Sequence, residues 1–99
     1  MRLSPEQVAI IRQAAQESFG PEARIWLFGS RVDDSKRGGD IDLLIQVDKL
    51  SAENGLMAKI RFLGKLEKTL GERKIDVVIE NPGDTRPIVR VAHHTGVRL

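Results

Sequence analysis

Asp40 and Asp42 stand two residues apart in the run Gly39-Asp40-Ile41-Asp42-Leu43-Leu44-Ile45, and a third acid, Asp76, lies in the similar run Lys74-Ile75-Asp76-Val77-Val78-Ile79. Residues two apart on a strand project to one face, so Asp40 and Asp42 aim together while Ile41 and Leu43 turn to a core. Carboxylates gathered that closely repel one another unless hard cations neutralise them. Magnesium prefers oxygen ligands and typically takes one or two carboxylates together with substrate phosphates. A pair of such ions ~3.5–4 Å apart can clamp the attacking and leaving oxygens of an in-line displacement. Upstream, Gly29 lets the backbone come close to a phosphate because no side chain intervenes. Ser30 adds a hydroxyl and an N–H of the kind that turns and helix N-termini offer to anions. Arg31, Lys36 and Arg37 are cations that can face either a polyphosphate or solvent.

These residues need elements that bring them together. Ser4-Pro5-Glu6-Gln7 reads as a helix start, with Ser4 as cap, Pro5 in the first turn and Gln7 closing a capping box. Val8, Ile11, Ala15 and Phe19 then recur at helical spacing until Gly20-Pro21. Residues 24–28 read as a buried strand containing Trp26 and stopping at Gly29-Ser30. Residues 31–39 read as a polar loop or one short helical turn, and 41–47 as a second strand. A helix is expected over about 55–70, with Leu56, Ile60, Leu63, Leu66 and Leu70 on its inner face and Gly71 as its stop. A third strand covers 75–79, and a last helix runs over about 87–94, followed by Gly96 and a short tail. The order is α-β-β-α-β-α, an α/β (α+β) arrangement with a small mixed sheet and its helices on one side. Strands joined through a helix are expected to be parallel neighbours, and strands joined by a short loop antiparallel. That topology carries Gly29, Asp40, Asp42 and Asp76 to a common edge of the sheet.

At these residues the sequence resembles the DNA polymerase β-like nucleotidyltransferase superfamily, in its minimal nucleotidyltransferase branch. The family pattern is Gly-Ser, a polar spacer, Asp-x-Asp on a strand, and a third Asp on a later strand. Leu27-Phe28-Gly29-Ser30-Arg31, Asp40-Ile41-Asp42 and Asp76 match it, and the ending from Ile88 through Ala92 to Leu99 is similar to the family's closing helix and tail. The resemblance implies that Asp40, Asp42 and Asp76 are catalytic and hold magnesium, with two ions expected, and that Asp76 can serve as base. It implies that Gly29, Ser30 and Arg31 bind the triphosphate of ATP. It further implies an antitoxin that transfers AMP to a tyrosine of a partner RNase-like toxin of the HEPN class. The alternative is a non-catalytic nucleotide-binding antitoxin that neutralises its partner by direct contact. His93-His94 stands where the family often carries an acid.

Composition bounds the remainder. Ninety-nine residues, 40% hydrophobic and 30% charged, suit a single domain over 1–99 with its own core. The absence of cysteine excludes disulfides and thiolate metal sites and fits a cytoplasmic location. No apolar run marks a leader or a membrane span. A net charge of +2, with basic residues spread along the chain and few aromatics, argues against nucleic acid as the partner. The number of subunits is left open. Taken singly, each acid has a plainer reading. Asp40 and Asp42 can be a turn acid and a solvated strand residue, Asp76 can pair with Lys74, and Gly29 can simply end a strand. Asp33 and Asp34 are expected to be adjacent loop acids whose side chains diverge toward solvent. His93 and His94 near a helix C-terminus are expected to complement its dipole.

Overall fold

A computed structural model describes residues 3–29, 41–48, 52–71 and 74–99. Its first helix, α1 (Pro5–Phe19), begins as the sequence dictates. The Gln7 N–H donates to Ser4 Oγ at 3.1 Å, and the Ser4 N–H donates to Gln7 Oε1 at 2.9 Å. This reciprocal box satisfies two of the donors that a helix start leaves open. The helix buries Ile11, Ala14 and Ala15 and gives way at Gly20.

Four strands follow: β1 (Arg24–Phe28), β2 (Ile41–Gln46), β3 (Ile75–Glu80) and β4 (Val97–Arg98), with α2 (Ala52–Leu70) between β2 and β3 and α3 (Pro87–Thr95) before β4. They make one mixed sheet in the order β3-β2-β1-β4. As expected, β1 and β2 are antiparallel, with Phe28 opposite Asp42, and β2 and β3 are parallel, with Asp42 opposite Asp76. The tail expected after Gly96 is instead a short strand, antiparallel to β1, with Leu27 opposite Val97 and the Leu99 N–H donating to the Ile25 carbonyl at 2.9 Å. Gly96 permits this approach, since a Cβ there would collide with the Ala92 carbonyl and lie 2.9 Å from that of Leu27.

Alternation along the strands divides the sheet into two faces. On one, Ile25, Leu27, Ile41, Leu43, Ile45 and Val77 pack with α1 and α2 around Phe62 and Leu66. On the other, Phe28 and Leu44 pack with Val89 and Ala92 of α3, flanked by Trp26 and Val78. The helices are therefore not all on one side, because α3 has an apolar stripe of its own and covers the second face. Trp26 lies half-buried on that face rather than in the main core. The inner face of α2 matches the expected stripe in part: Leu66 is buried and Leu63 and Leu70 pack against the core, but Leu56 and Ile60 do not face it. Gly55, Ala58, Phe62 and Leu66 are buried, whereas Leu56 and Ile60 are 59% and 56% exposed. Two apolar stripes run along this helix, and the one with Gly55, Ala58, Phe62 and Leu66 faces the sheet, with the Gly55 Cβ position 3.7 Å from Ile79 Cδ1. Among the described residues no helix is long and apolar enough to cross a membrane.

Candidate active site

Asp42 and Asp76 share one register step of the parallel pair β2–β3. Neighbouring strands lie about 4.8 Å apart, and residues in the same register present their side chains to the same face. The two carboxylates thus stand side by side near the start of both strands, although 34 residues separate them in sequence (76 minus 42). Asp42 is half-buried and Asp76 exposed. The face they share is the one covered by α3. Phe28, in register with Asp42, is buried beside it, and Leu44 lies beyond.

Gly29 follows directly from β1 and adopts φ +80°, in the left-handed region. A Cβ on this residue would fall on Oδ2 of Asp42 and lie 3.1 Å from its Cγ. Glycine is therefore required twice, for the backbone conformation and for the room that Asp42 occupies. The Gly29 turn and the Asp42 carboxylate thus adjoin. Asp40, Ser30 and Arg31 lie outside the described residues, as do Asp33, Asp34, Lys36 and Arg37. Of the expected site residues, the structure brings together Gly29, Asp42 and Asp76.

A second polar cluster on the same face went unread in the sequence. His93 Nε2 meets Glu80 Oε1 at 2.5 Å, and Gln46 Nε2 donates to the same oxygen at 3.4 Å. The His93 ring packs edge-on against Trp26, with centroids 4.4 Å apart, and Arg98 lies over the indole at 5.6 Å. His93 is thus joined to a strand carboxylate, where the sequence suggests only an interaction with the helix dipole. Alternation of Asp76, Val78 and Glu80 was the available signal, since it places Glu80 on the acidic face, but the side on which α3 packs is not written in that pattern.

Beyond β3, the turn is tied by Arg86. Its Nε and Nη2 donate to Asp84 at 3.0 and 2.7 Å, and Nη2 also donates to the Ile79 carbonyl at 2.6 Å. The hydrogen bonds from Arg86 hold the Asp84 carboxyl below its ordinary range, and Asp84 in turn raises Arg86. At the same end of the sheet, just before β1 and just after β2, a hydrogen bond shared with Asp48 raises Glu22.

A family model described as a nucleotidyltransferase domain matches residues 8–95, from within α1 to the end of α3. No curated protein matches the chain in sequence.

Proposed function

The chain belongs to the nucleotidyltransferase domain family, and from that membership we propose that it transfers AMP from ATP to a hydroxyl, with magnesium held by Asp40, Asp42 and Asp76. The observation that carries this reading is the shared register of Asp42 and Asp76 with Gly29 closed against Asp42. Two carboxylates side by side, with an open backbone turn at their edge, form an oxygen-rich site that suits a hard cation and a polyphosphate. Bound there, magnesium would neutralise the acids and the triphosphate and polarise the phosphate under attack.

The chain's own groups set the rest of the chemistry. The Gly29 turn, with Ser30 and Arg31, holds the terminal phosphates and fixes the direction in which pyrophosphate departs. The acceptor oxygen forms a bond to the α-phosphorus as the bond from that phosphorus to pyrophosphate breaks, and the hydroxyl proton passes to Asp76. Holding the reactants in line supplies much of the acceleration for a displacement of this kind. The acceptor we assign is a tyrosine of a HEPN-type toxin in the cytoplasm, so that transfer silences the toxin and the chain acts as its antitoxin.

The test separates covalent transfer from occlusion. The chain, in catalytic amount with magnesium and labelled ATP, is incubated with the toxin and then removed, and the toxin's intact mass and RNase activity are measured. A gain of AMP units with lasting inactivation is expected, while Asp42→Asn, which loses positioning needed in the transition state, fails at that dose. Inhibition by both proteins only while each is present in equal amount would overturn the catalytic reading in favour of a nucleotide-binding antitoxin.

A further inference from the structure

Strand β3 forms an edge of the sheet, and among the described residues it pairs with β2 alone. The carbonyls of Lys74 and Glu80 accept from the N–H groups of Ile41 and Val47, each at 3.0 Å. The even-numbered residues therefore turn their peptide groups toward β2, and Ile75, Val77 and Ile79 turn theirs outward. The Ile79 carbonyl takes Arg86 Nη2 but keeps a second lone pair for another donor.

Beside this edge runs the exposed stripe of α2. The helix meets α1 along the flank that carries Lys65, which pairs with Glu17 at 3.7 Å. A helix turns about 100° per residue, so Leu56, Ile60 and the half-buried Leu63 lie on the opposite flank, away from α1. The position of a Gly55 Cβ, 3.7 Å from Ile79 Cδ1, shows that this part of α2 lies over β3. An apolar shelf thus overhangs a strand edge with outward peptide groups, a combination that soluble proteins usually cover.

We infer that the cover is a second copy of this chain, its β3 laid antiparallel to the first about a two-fold axis through Val77. The residues select this register. With outward groups facing one another, the axis at Val77 sets Lys74 opposite Glu80 of the second copy, Ile75 opposite Ile79, and Asp76 opposite Val78. Moving the axis one residue either way sets Asp76 against Asp76, or Asp76 against Glu80, with like charges opposed. Of these three registers, only the one through Val77 joins opposite charges at both ends, with Ile75–Ile79 and Val77–Val77 apolar pairs between them, and it pairs the whole of residues 74–80. It also merges two four-stranded sheets into one and brings the exposed flanks of two α2 helices together over the junction. The contact is isologous, so it closes at two copies.

The pairing does not depend on the proposed reaction and is tested without nucleotide. Sedimentation equilibrium of the full chain over a concentration series should show a rise to twice the chain mass. Hydrogen exchange at the Ile75, Val77 and Ile79 amides should slow in step with that rise. Ile60→Lys, at a solvent-exposed position, should weaken association by about tenfold or more with the circular dichroism unchanged. Lys74→Glu, which opposes like charges at both ends of the junction, should weaken it by about tenfold. A chain that stays monomeric throughout would overturn the inference. So would a dimer whose three amides exchange as fast as in the monomer, or one that neither substitution weakens.

Discussion

Gly29 carries more constraint than any other single described position near the acids, because two independent demands meet there. Its φ of +80° disfavours any side chain, and the space a Cβ would need belongs to the Asp42 carboxylate. Gly29→Ala should therefore cost about 1–3 kcal/mol in urea unfolding and should also displace Asp42. Addition of magnesium–ATP should raise the melting temperature of the parent by mass action and raise that of the variant far less. Gly83→Ala is the control, with a similar φ of +80° but open space around its Cβ position; it should lose stability and keep the ligand response. Asp84 gives a second residue-scale expectation. Its folded carboxyl titrates below the unfolded value, so the stability it contributes is present above the unfolded pKa and lost as pH falls through the folded one. Glu22 acts in the opposite sense, since its raised folded pKa favours the folded chain on acidification. Asp84→Asn should flatten the acid limb of the melting-temperature profile, and Glu22→Gln should raise stability at neutral pH.

Among the elements, α2 separates what the sequence specifies from what packing decides. Phe62 is fully buried and meets Phe19 edge-on, with centroids 5.5 Å apart. Phe62→Ala should cost about 3–5 kcal/mol. Ile60→Ala, at a residue of the expected inner face, should change the stability of the dilute chain by less than about 0.5 kcal/mol. Paired urea titrations of the two variants check both. Leu56 and Ile60 read as core because they recur at helical spacing with Leu63 and Leu66, yet Gly55, Ala58 and Phe62 form a competing stripe, and only the space above the sheet chooses between them. The strands were more legible, since a period of two residues fixes the face of each side chain and the connection types fix direction. That is why the strand pattern and connections alone place Asp42 and Asp76 together. The side taken by α3 was not legible, because an amphipathic helix reveals that it packs without revealing against which face. β4 escaped notice because two residues, Val97 and Arg98, carry no periodicity at all.

For the molecule as a whole, the parallel union of β2 and β3 has a consequence in time. β1 and β2 pair with 12 residues between them (29–40), whereas Asp76 reaches Asp42 only after α2 has crossed between them. Contacts of long sequence separation pay their loop entropy before they are rewarded, so they tend to complete late on the folding pathway. A chain with α1, β1 and β2 in place would already hold Gly29 against Asp42 and still lack the second acid. A ligand that needs both acids stabilises the finished fold without stabilising the barrier that precedes it. Stopped-flow refolding should therefore proceed at the same rate with or without magnesium–ATP, while unfolding slows as the ligand is raised. The chain would acquire its affinity for nucleotide at the end of folding, and bound nucleotide would act as a latch on the completed fold, with no part in guiding the chain toward it.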